Sequence, residues 1–121
     1  MQFDQRSPVY LQVIHGFKEQ IASRELTCGQ EIPSRRALAT KLGINPNTAQ
    51  KAYKKMEQEQ LIITERNVPS RITTNPHIVD RVRSELLNEA VIQFVTSMQA
   101  IQLPFEEVVT TVKKHLSNKQ L

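Results

Sequence analysis

One stretch of the chain concentrates basic and amide side chains that suit contact with a polyanion. From Arg35 to Lys55 there are six lysines and arginines and no aspartate or glutamate. Guanidinium and ammonium groups bind phosphate oxygens, and amides such as those of Asn47 and Gln50 can hydrogen-bond to the edges of bases. The whole chain carries a net charge of +4, with all of the excess before residue 76. Nucleic acid is therefore the expected partner.

The residue types that catalyse reactions or hold metals are scattered. His15, His77 and His115 lie far apart in the sequence, so they show no metal-ligand spacing, and each is expected to be a surface or packing residue. Cys28 is the only cysteine, has no predicted activating partner and is expected to be inert. The sequence shows neither a phosphate-binding glycine loop nor a nucleophile elbow. We therefore predict no enzyme activity, no metal site and no cofactor.

Length and composition set the class of protein. With 121 residues, of which 39% are hydrophobic, the chain holds one folded domain or a domain with a short appendix. No apolar run approaches the ~18 residues that cross a bilayer, and the N-terminal residues lack the basic and apolar regions of a signal peptide. A single cysteine forms no internal disulfide. We expect a cytoplasmic protein without a membrane partner.

Local signals for helix ends predict a helix-turn-helix. Ser7 as N-cap and Pro8 at the first helical position predict the first helix. Ser34 is predicted to cap a short second helix that ends at Gly43, where left-handed backbone is favoured. Asn45 then caps a third helix after a turn of a few residues. Two helices joined by such a turn are typical of the helix-turn-helix motif.

The third helix is predicted to have one apolar and one polar face. Residues with the spacing i, i+3, i+4, i+7 form the apolar face: Ala49, Ala52, Tyr53 and Met56. The opposite face carries amides and lysines: Asn47, Gln50, Lys51, Lys54 and Gln58. We expect this face to contact bases and phosphates, and the alternative is a merely solvated face.

The start of the second helix carries two positive charges. Arg35 and Arg36 lie in its first turn, where each opposes the helix dipole by about 0.3–1 kcal/mol. A DNA phosphate would compensate, because it accepts from the exposed N–H groups and pairs with guanidinium. The alternative is a salt bridge to Glu31 or a neighbouring acid. The Thr48 hydroxyl, near the start of the third helix, either donates to phosphate or caps its own backbone.

A hairpin and a helical tail follow. The β-branched runs at 61–65 and 71–74 flank a turn at 67–70, and this hairpin would be the wing of a winged helix-turn-helix. Asn75-Pro76 then opens a long helix to about Ala100, and a last helix follows it. A hairpin of two helices buries one face of each poorly, so a second subunit is predicted to cover their apolar seams. The alternative is a monomer in which both seams fold back on the winged domain. The predicted dimerisation residues are Leu87, Val91, Phe94, Met98, Ile101, Phe105, Val109, Val112 and Leu116.

Several of these segments resemble a known family. The segment from Pro8 to Ala39, including the run GQEIPSRRALA at 29–39, resembles the winged-helix head of the GntR family of bacterial transcription regulators. The run INPNTAQKAY at 44–53 is similar to the YtrA subfamily. The C-terminal part, with Phe94 and Met98, is similar to the short two-helix tail of that subfamily. The resemblance covers nearly the whole chain.

The resemblance implies a role and marks departures from it. It implies operator binding, most often repression of an operon such as a transporter operon, and it matches Arg36 to the arginine that family members direct at DNA. Family members usually carry glutamate in place of Arg35 and glycine in place of Arg24 and Gln60. They also have a glycine-rich wing tip, where this chain has 67–70 without glycine.

These observations predict a mainly α protein with a small β wing. A winged helix-turn-helix is expected in 1–75 and a two-helix dimerisation tail in 76–121. The expected function is sequence-specific transcription regulation by a homodimer on a palindromic operator in double-stranded DNA, and no small-molecule effector is identified. The alternative is a winged-helix protein-interaction module without specific DNA binding. The predicted DNA contacts are Ser34, Arg35, Arg36, Asn45, Asn47, Thr48, Gln50, Lys51, Lys54 and Arg66.

Overall fold

The computed structural model describes residues 2–118, and within them helices dominate. The helices are α1 (Val9–Ala22), α2 (Arg35–Leu42), α3 (Pro46–Gln58), α4 (Pro76–Ile101) and α5 (Phe105–Asn118). The strands β1 (Ile62–Ile63) and β2 (Arg71–Ile72) form an antiparallel hairpin between α3 and α4. The mainly α fold with a β wing is therefore confirmed.

Three of the helices start with a side-chain N-cap at the residue that the sequence predicts. Ser34 Oγ accepts from the N–H of Ala37 at 3.1 Å, and Asn45 Oδ1 accepts from the N–H of Asn47 at 2.7 Å. Asn75 caps α4 in the same manner, accepting from the N–H of His77 at 2.9 Å. Each cap satisfies a backbone donor that has no partner inside its helix.

The prediction for the start of α1 is wrong by one residue. Pro8 occupies the N-cap position with extended backbone, and α1 begins at Val9 without a side-chain cap. Ser7 therefore lies one residue too far upstream to cap the helix. The Gln12 amide instead donates to the carbonyl oxygens of Asp4 and Ser7, at 2.9 and 2.8 Å.

The core of the N-terminal unit lies between α1 and α3. The Phe17 and Tyr53 rings meet edge to face, with centroids 6.1 Å apart, which is a favourable aromatic geometry. Ala49 and Ala52 are fully buried, so α3 can approach its neighbours closely. The other buried residues of the two helices are Val13, Ile14, Ile21 and Met56.

The wing is anchored to the segment that precedes α2. Ile62 pairs with Ile72 across the hairpin. On the other side of β2, the N–H of Ile32 donates to the carbonyl of Ser70, and the N–H of Ile72 donates to that of Gln30, both at 2.9 Å. The segment before α2 thus acts as a third extended element of the wing.

The first turns of α4 belong to the same compact unit as the wing. Ile78 and Val82 are buried in its core, and this unit ends at Leu86. Lys18 Nζ lies 3.3 Å from a carboxylate oxygen of Glu59 and 3.0 Å from one of Glu85. Burial lowers the pKa of Lys18, but its hydrogen bond to Glu85 and the charges of both carboxylates outweigh burial and raise that pKa above its ordinary value.

The remaining residues form a second unit that begins at Leu87. It contains the rest of α4 and α5, and α5 has no buried residue among those described. Large apolar side chains are exposed along both helices. They include Leu87, Val91, Ile92, Phe94, Val95, Ile101, Phe105, Val112 and Leu116. An open groove of about 520 Å³ lies between the helices, lined by Phe94, Met98, Val108 and Val112 among others.

Candidate nucleic-acid interface

The N-terminus of α2 presents backbone donors and one unpaired guanidinium. Ser34 Oγ satisfies the N–H of Ala37, whereas the N–H groups of Arg35 and Arg36 have no acceptor among residues 2–118. The Arg36 side chain is exposed and forms no ion pair with any described residue. Free N–H groups, the positive end of the helix dipole and a guanidinium together suit a phosphate.

Arg35 is engaged inside the protein. Its guanidinium donates to Glu57 Oε1, and its Cζ lies 5.1 Å from the centre of the Tyr53 ring. The charge at this helix start is therefore compensated by a neighbouring acid, which is the alternative considered from the sequence, with Glu57 in place of Glu31. A contact of Arg35 with phosphate stays a prediction.

The polar face of α3 points away from the core. Asn47, Gln50 and Lys54 are exposed, while Ala49 and Ala52 on the opposite face are fully buried. Asn45 uses its side-chain oxygen to cap α3, which leaves its NH₂ group as a donor. Amides and an ammonium on an exposed helix face are the donors that base edges and phosphates accept.

Lys51 lies on the edge of this face and contacts α1. Its Nζ is 4.2 Å from the centre of the Tyr10 ring, within the range of a cation–π interaction. The side chain is otherwise exposed. Tyr10 belongs to α1, and its contact with Lys51 had no signal in the sequence.

The Thr48 hydroxyl makes no hydrogen bond to the described part of the chain. Thr96 and Thr111 by contrast donate back to the carbonyl four residues earlier in their helices, both at 2.9 Å. Of the two possibilities left open by the sequence, the geometry therefore leaves the hydroxyl of Thr48 available to an external acceptor such as phosphate.

The wing tip carries one unpaired positive charge. Glu65 accepts a hydrogen bond from Arg71 at 2.9 Å, so these two charges offset each other. Arg66 is exposed and forms no ion pair with any residue from 2 to 118. Asn67, beside it, has a φ of 64°, a value that asparagine tolerates better than most residues.

The sequence did not reveal the residues that connect these elements. Glu57 was not singled out, although it follows the acid-free stretch by two residues and pairs with Arg35 across 22 positions. The Tyr53 hydroxyl donates to the carbonyl of Pro33. Hydrogen bonds between distant positions leave no periodicity in the sequence. The only signal was the unfavourable charge of Arg35 at a helix start.

The remaining candidate chemistry lies outside this face. In the part of the chain that the structure describes, no group of three or more His, Cys, Asp or Glu side chains is arranged to hold a metal ion. Cys28 is exposed. None of the helices among residues 2–118 is long and apolar enough to cross a membrane.

Comparison with known proteins gives a consistent result. The family described as bacterial regulatory proteins, gntR family, matches residues 9–72. The HTH-type transcriptional regulator YhcF of Bacillus subtilis (strain 168) is 32% identical over 112 residues, which are 93% of either chain. The HTH-type transcriptional repressor YtrA of the same organism is 42% identical over 77 residues, 62% of this chain and 59% of that protein. A solved GntR family transcriptional regulator from Listeria monocytogenes is 28% identical with a TM-score of 0.85, covering 93% of this chain and 98% of its own.

The winged helix-turn-helix, its exposed basic and amide face and the matched family together identify a DNA-binding transcription regulator. The chain belongs to the GntR family, and its similarity to YtrA supports the YtrA subfamily within it. Its family and relatives are transcription regulators, which confirms the expectation that it is not an enzyme. The alternative of a winged-helix module that pairs only with protein is thereby set aside.

Proposed function

We propose that this protein represses transcription as a homodimer on a palindromic operator. The observation that carries the proposal is the exposed polar face of α3, on a helix that packs against α2 with its open N-terminus. In such a motif the second helix lies in the major groove and reads base edges. The operator function places the protein beside the chromosome, in the cytoplasm.

Base discrimination is assigned to the start of the α3 face. Asn47, Gln50 and Lys51 are exposed within its first two turns. Amides pair with adenine and lysine with guanine, and each good pair contributes about 1–3 kcal/mol of discrimination. Asn47 and Gln50 have exposed side chains to which no described residue hydrogen-bonds, whereas Lys51 already contacts the Tyr10 ring.

Phosphate binding is assigned to positions around this face. Arg36 is the main anchor, because guanidinium and free N–H groups coincide there. Ser34 and Asn45 cap their helices with oxygen atoms and keep a donor for phosphate. Thr48, Lys54 and Arg66 complete the surface, and Arg35 is expected to contribute less because Glu57 already holds it.

Dimerisation is assigned to the unit that begins at Leu87. Phe94 is 41% exposed, Leu116 66% and Phe105 74%, and an apolar surface of this extent on a helical hairpin is typical of a protein interface. A second copy would cover it with the same surface. Linking two heads makes binding of the second half-site intramolecular, which raises affinity without new contacts. We therefore propose that these apolar seams pair two subunits and thereby allow recognition of a palindrome. They lie within 76–121, the segment that was expected to form the dimerisation tail.

Repression is the finer part of the proposal. The relative YtrA is named a transcriptional repressor, and its similarity covers 62% of this chain. A dimer seated on an operator excludes other proteins from that DNA by occupying it. Transcription of a template carrying the operator should therefore fall as the protein is added, and an increase would contradict repression.

Two measurements test the assembly and its ligand. Sedimentation should give twice the chain mass at micromolar concentration, and Phe94→Asp should give a folded monomer that binds a palindrome much more weakly. Thr110→Asp, on the exposed surface of α5, is the matched control and should stay dimeric. The affinity for DNA should fall steeply with salt, since phosphate contacts release counterions. A monomeric parent, or an affinity independent of salt, would contradict the proposal.

A further inference from the structure

A chain of polar contacts joins α2, α3 and the wing. Glu57 Oε1, near the end of α3, accepts from the Arg35 guanidinium and from the Thr64 hydroxyl, the latter at 2.9 Å. Thr64 Oγ1 is in turn 3.0 Å from Ser70 Oγ. Thr64 follows β1 and Ser70 precedes β2, so the two hydroxyls close the base of the wing loop. One carboxylate thus connects the wing loop to both helices of the motif.

This connection is partly shielded from water. Ser70 is buried, and the side chains of Arg35 and Glu57 are 30% and 33% exposed. Arg35 Nε is buried without a hydrogen-bond partner, and its guanidinium is fixed against the Tyr53 ring. An arginine with a buried unsatisfied donor is an unfavourable arrangement, and it is offset here by the ion pair and the ring contact. Arg35 and Glu57 are therefore held in one geometry.

The net charge of the Arg35, Glu57 and Thr64 contacts affects the binding of a polyanion. A carboxylate near DNA repels phosphate, but Arg35 offsets the charge of Glu57. Arg71 of β2 offsets Glu65 in the same way, which leaves Arg66 as the cation of the loop without an ion pair in the described chain. The connection fixes the base of the loop without adding net negative charge to the DNA-binding side.

We propose that Glu57 and Thr64 are positioning residues that hold the wing so that Arg66 contacts a DNA phosphate. The inference rests on the proposed function, and it assigns roles to residues that would not themselves contact DNA. The wing tip lacks glycine, so it cannot gain contacts by close backbone approach and depends on a correctly placed side chain. A fixed loop base supplies that placement.

The test exploits the fact that Thr64 carries no charge. Thr64→Val keeps the shape of the side chain and removes the hydroxyl that donates to Glu57. If Arg66 then leaves its phosphate, the log–log salt slope of DNA binding should fall by about one unit, as it does for Arg66→Ala. Affinity should fall roughly 3- to 10-fold, the usual effect of one polar contact. Thr64→Ser restores the hydroxyl and should recover both quantities.

A double-mutant cycle separates positioning from general destabilisation. In an Arg66→Ala background, Thr64→Val should have little further effect on affinity or slope, because the contact it positions is already absent. Thr110→Val, the same change on the exposed surface of α5, should alter neither quantity. A variant that is merely partly unfolded would bind less but keep the parental slope. Circular dichroism before each titration gives the folded fraction.

The outcomes distinguish this inference from the proposed function. A parent whose DNA affinity has no salt dependence would overturn both. A parent with a steep slope, combined with Thr64→Val that keeps that slope or adds its full effect to Arg66→Ala, would overturn the positioning role alone. A reduced slope for Thr64→Val that Thr64→Ser recovers would establish it.

Discussion

Lys51 of α3 lies over the ring of Tyr10 in α1, with Nζ 4.2 Å from the ring centre. The contact restricts the Lys51 side chain to conformations that keep its ammonium group over the Tyr10 ring. It also joins the exposed face of α3 to α1, a helix that carries no predicted DNA contact. A lysine with four flexible torsions loses entropy when it binds. Restricting it beforehand reduces that loss and favours one register on the DNA.

The first prediction concerns this pair. Tyr10→Leu removes the aromatic face and should reduce discrimination at the base that Lys51 is proposed to contact by about 2- to 5-fold, the usual size of an exposed cation–π interaction. Tyr10→Phe keeps the ring and should behave like the parent. Affinities for a selected operator and for its single-base variants provide the measurement. Equal discrimination by Tyr10→Leu and the parent would show that the contact does not position Lys51.

The second prediction concerns phosphate anchoring at α2. Arg36→Ala should weaken binding to all duplexes and lower the log–log salt slope by about one unit, because one phosphate contact is lost. Lys113→Ala removes one positive charge from the exposed surface of α5 and should leave the slope unchanged. A loss confined to one base position would mean that Arg36 reads a base, as arginine does with guanine.

The third prediction concerns backbone strain after α3. Gln60 has a φ of 64°, and the N–H of Leu61 donates to the carbonyl of Met56, which is a Schellman ending. Left-handed backbone costs a side-chain residue roughly 1–2 kcal/mol, while glycine adds about 0.5–1 kcal/mol of unfolded-state entropy. Gln60→Gly should therefore raise the free energy of unfolding by about 0.5–1 kcal/mol.

Gln50→Gly is the control for this measurement. Gln50 lies inside α3, where glycine destabilises a helix by about 1 kcal/mol. In urea unfolding, Gln50→Gly should thus lower the free energy of unfolding, whereas Gln60→Gly should raise it. If both variants are less stable than the parent, the account of strain at Gln60 fails.

The fourth prediction concerns alkaline pH. Burial raises the pKa of Tyr53 to about 12, although the charge of Arg35 opposes the shift. In the unfolded chain a tyrosine ionises near pH ~10. Because the folded pKa is the higher one, the contribution of Tyr53 to stability is complete below pH ~10 and is lost as the pH rises through about 12.

Tyr53→Phe isolates this effect. At pH 7 it should lower the free energy of unfolding by about 1 kcal/mol, because the hydroxyl no longer donates to the carbonyl of Pro33. Between pH ~10 and ~12 its stability should decline less than that of the parent. Denaturant titrations across this range test the prediction, and parallel curves for the two proteins would refute it.

Local signals in the sequence predicted much of the fold. Ser34, Asn45 and Asn75 mark helix starts because a cap needs only neighbouring residues. The prediction that Ser7 caps α1 was wrong by one residue. The amide of Gln12 binds the carbonyl groups of Asp4 and Ser7 in the loop before α1, and this contact was not evident from the residues next to the cap. The spacing of Tyr53 predicted its burial, which the structure confirms.

Long-range contacts could not be predicted in this way. Arg35 and Glu57 are 22 residues apart, and Thr64 and Ser70 approach Glu57 only once the hairpin has formed. The family resemblance supplied one piece of such information, since it marks Arg24 and Gln60 as positions where relatives carry glycine. Both have positive φ, at 66° and 64°. The predicted DNA contacts and dimerisation residues stay predictions.

The central claim is that the α3 face of a dimer reads a palindromic operator, and selection of bound duplexes from random DNA tests it most directly. The parent protein should enrich one motif with two inverted half-sites about one helical turn apart or closer. Gln50→Ala should enrich a motif with reduced preference at one symmetric pair of positions. Enrichment of no motif, or the same motif and preferences for both proteins, would contradict the claim.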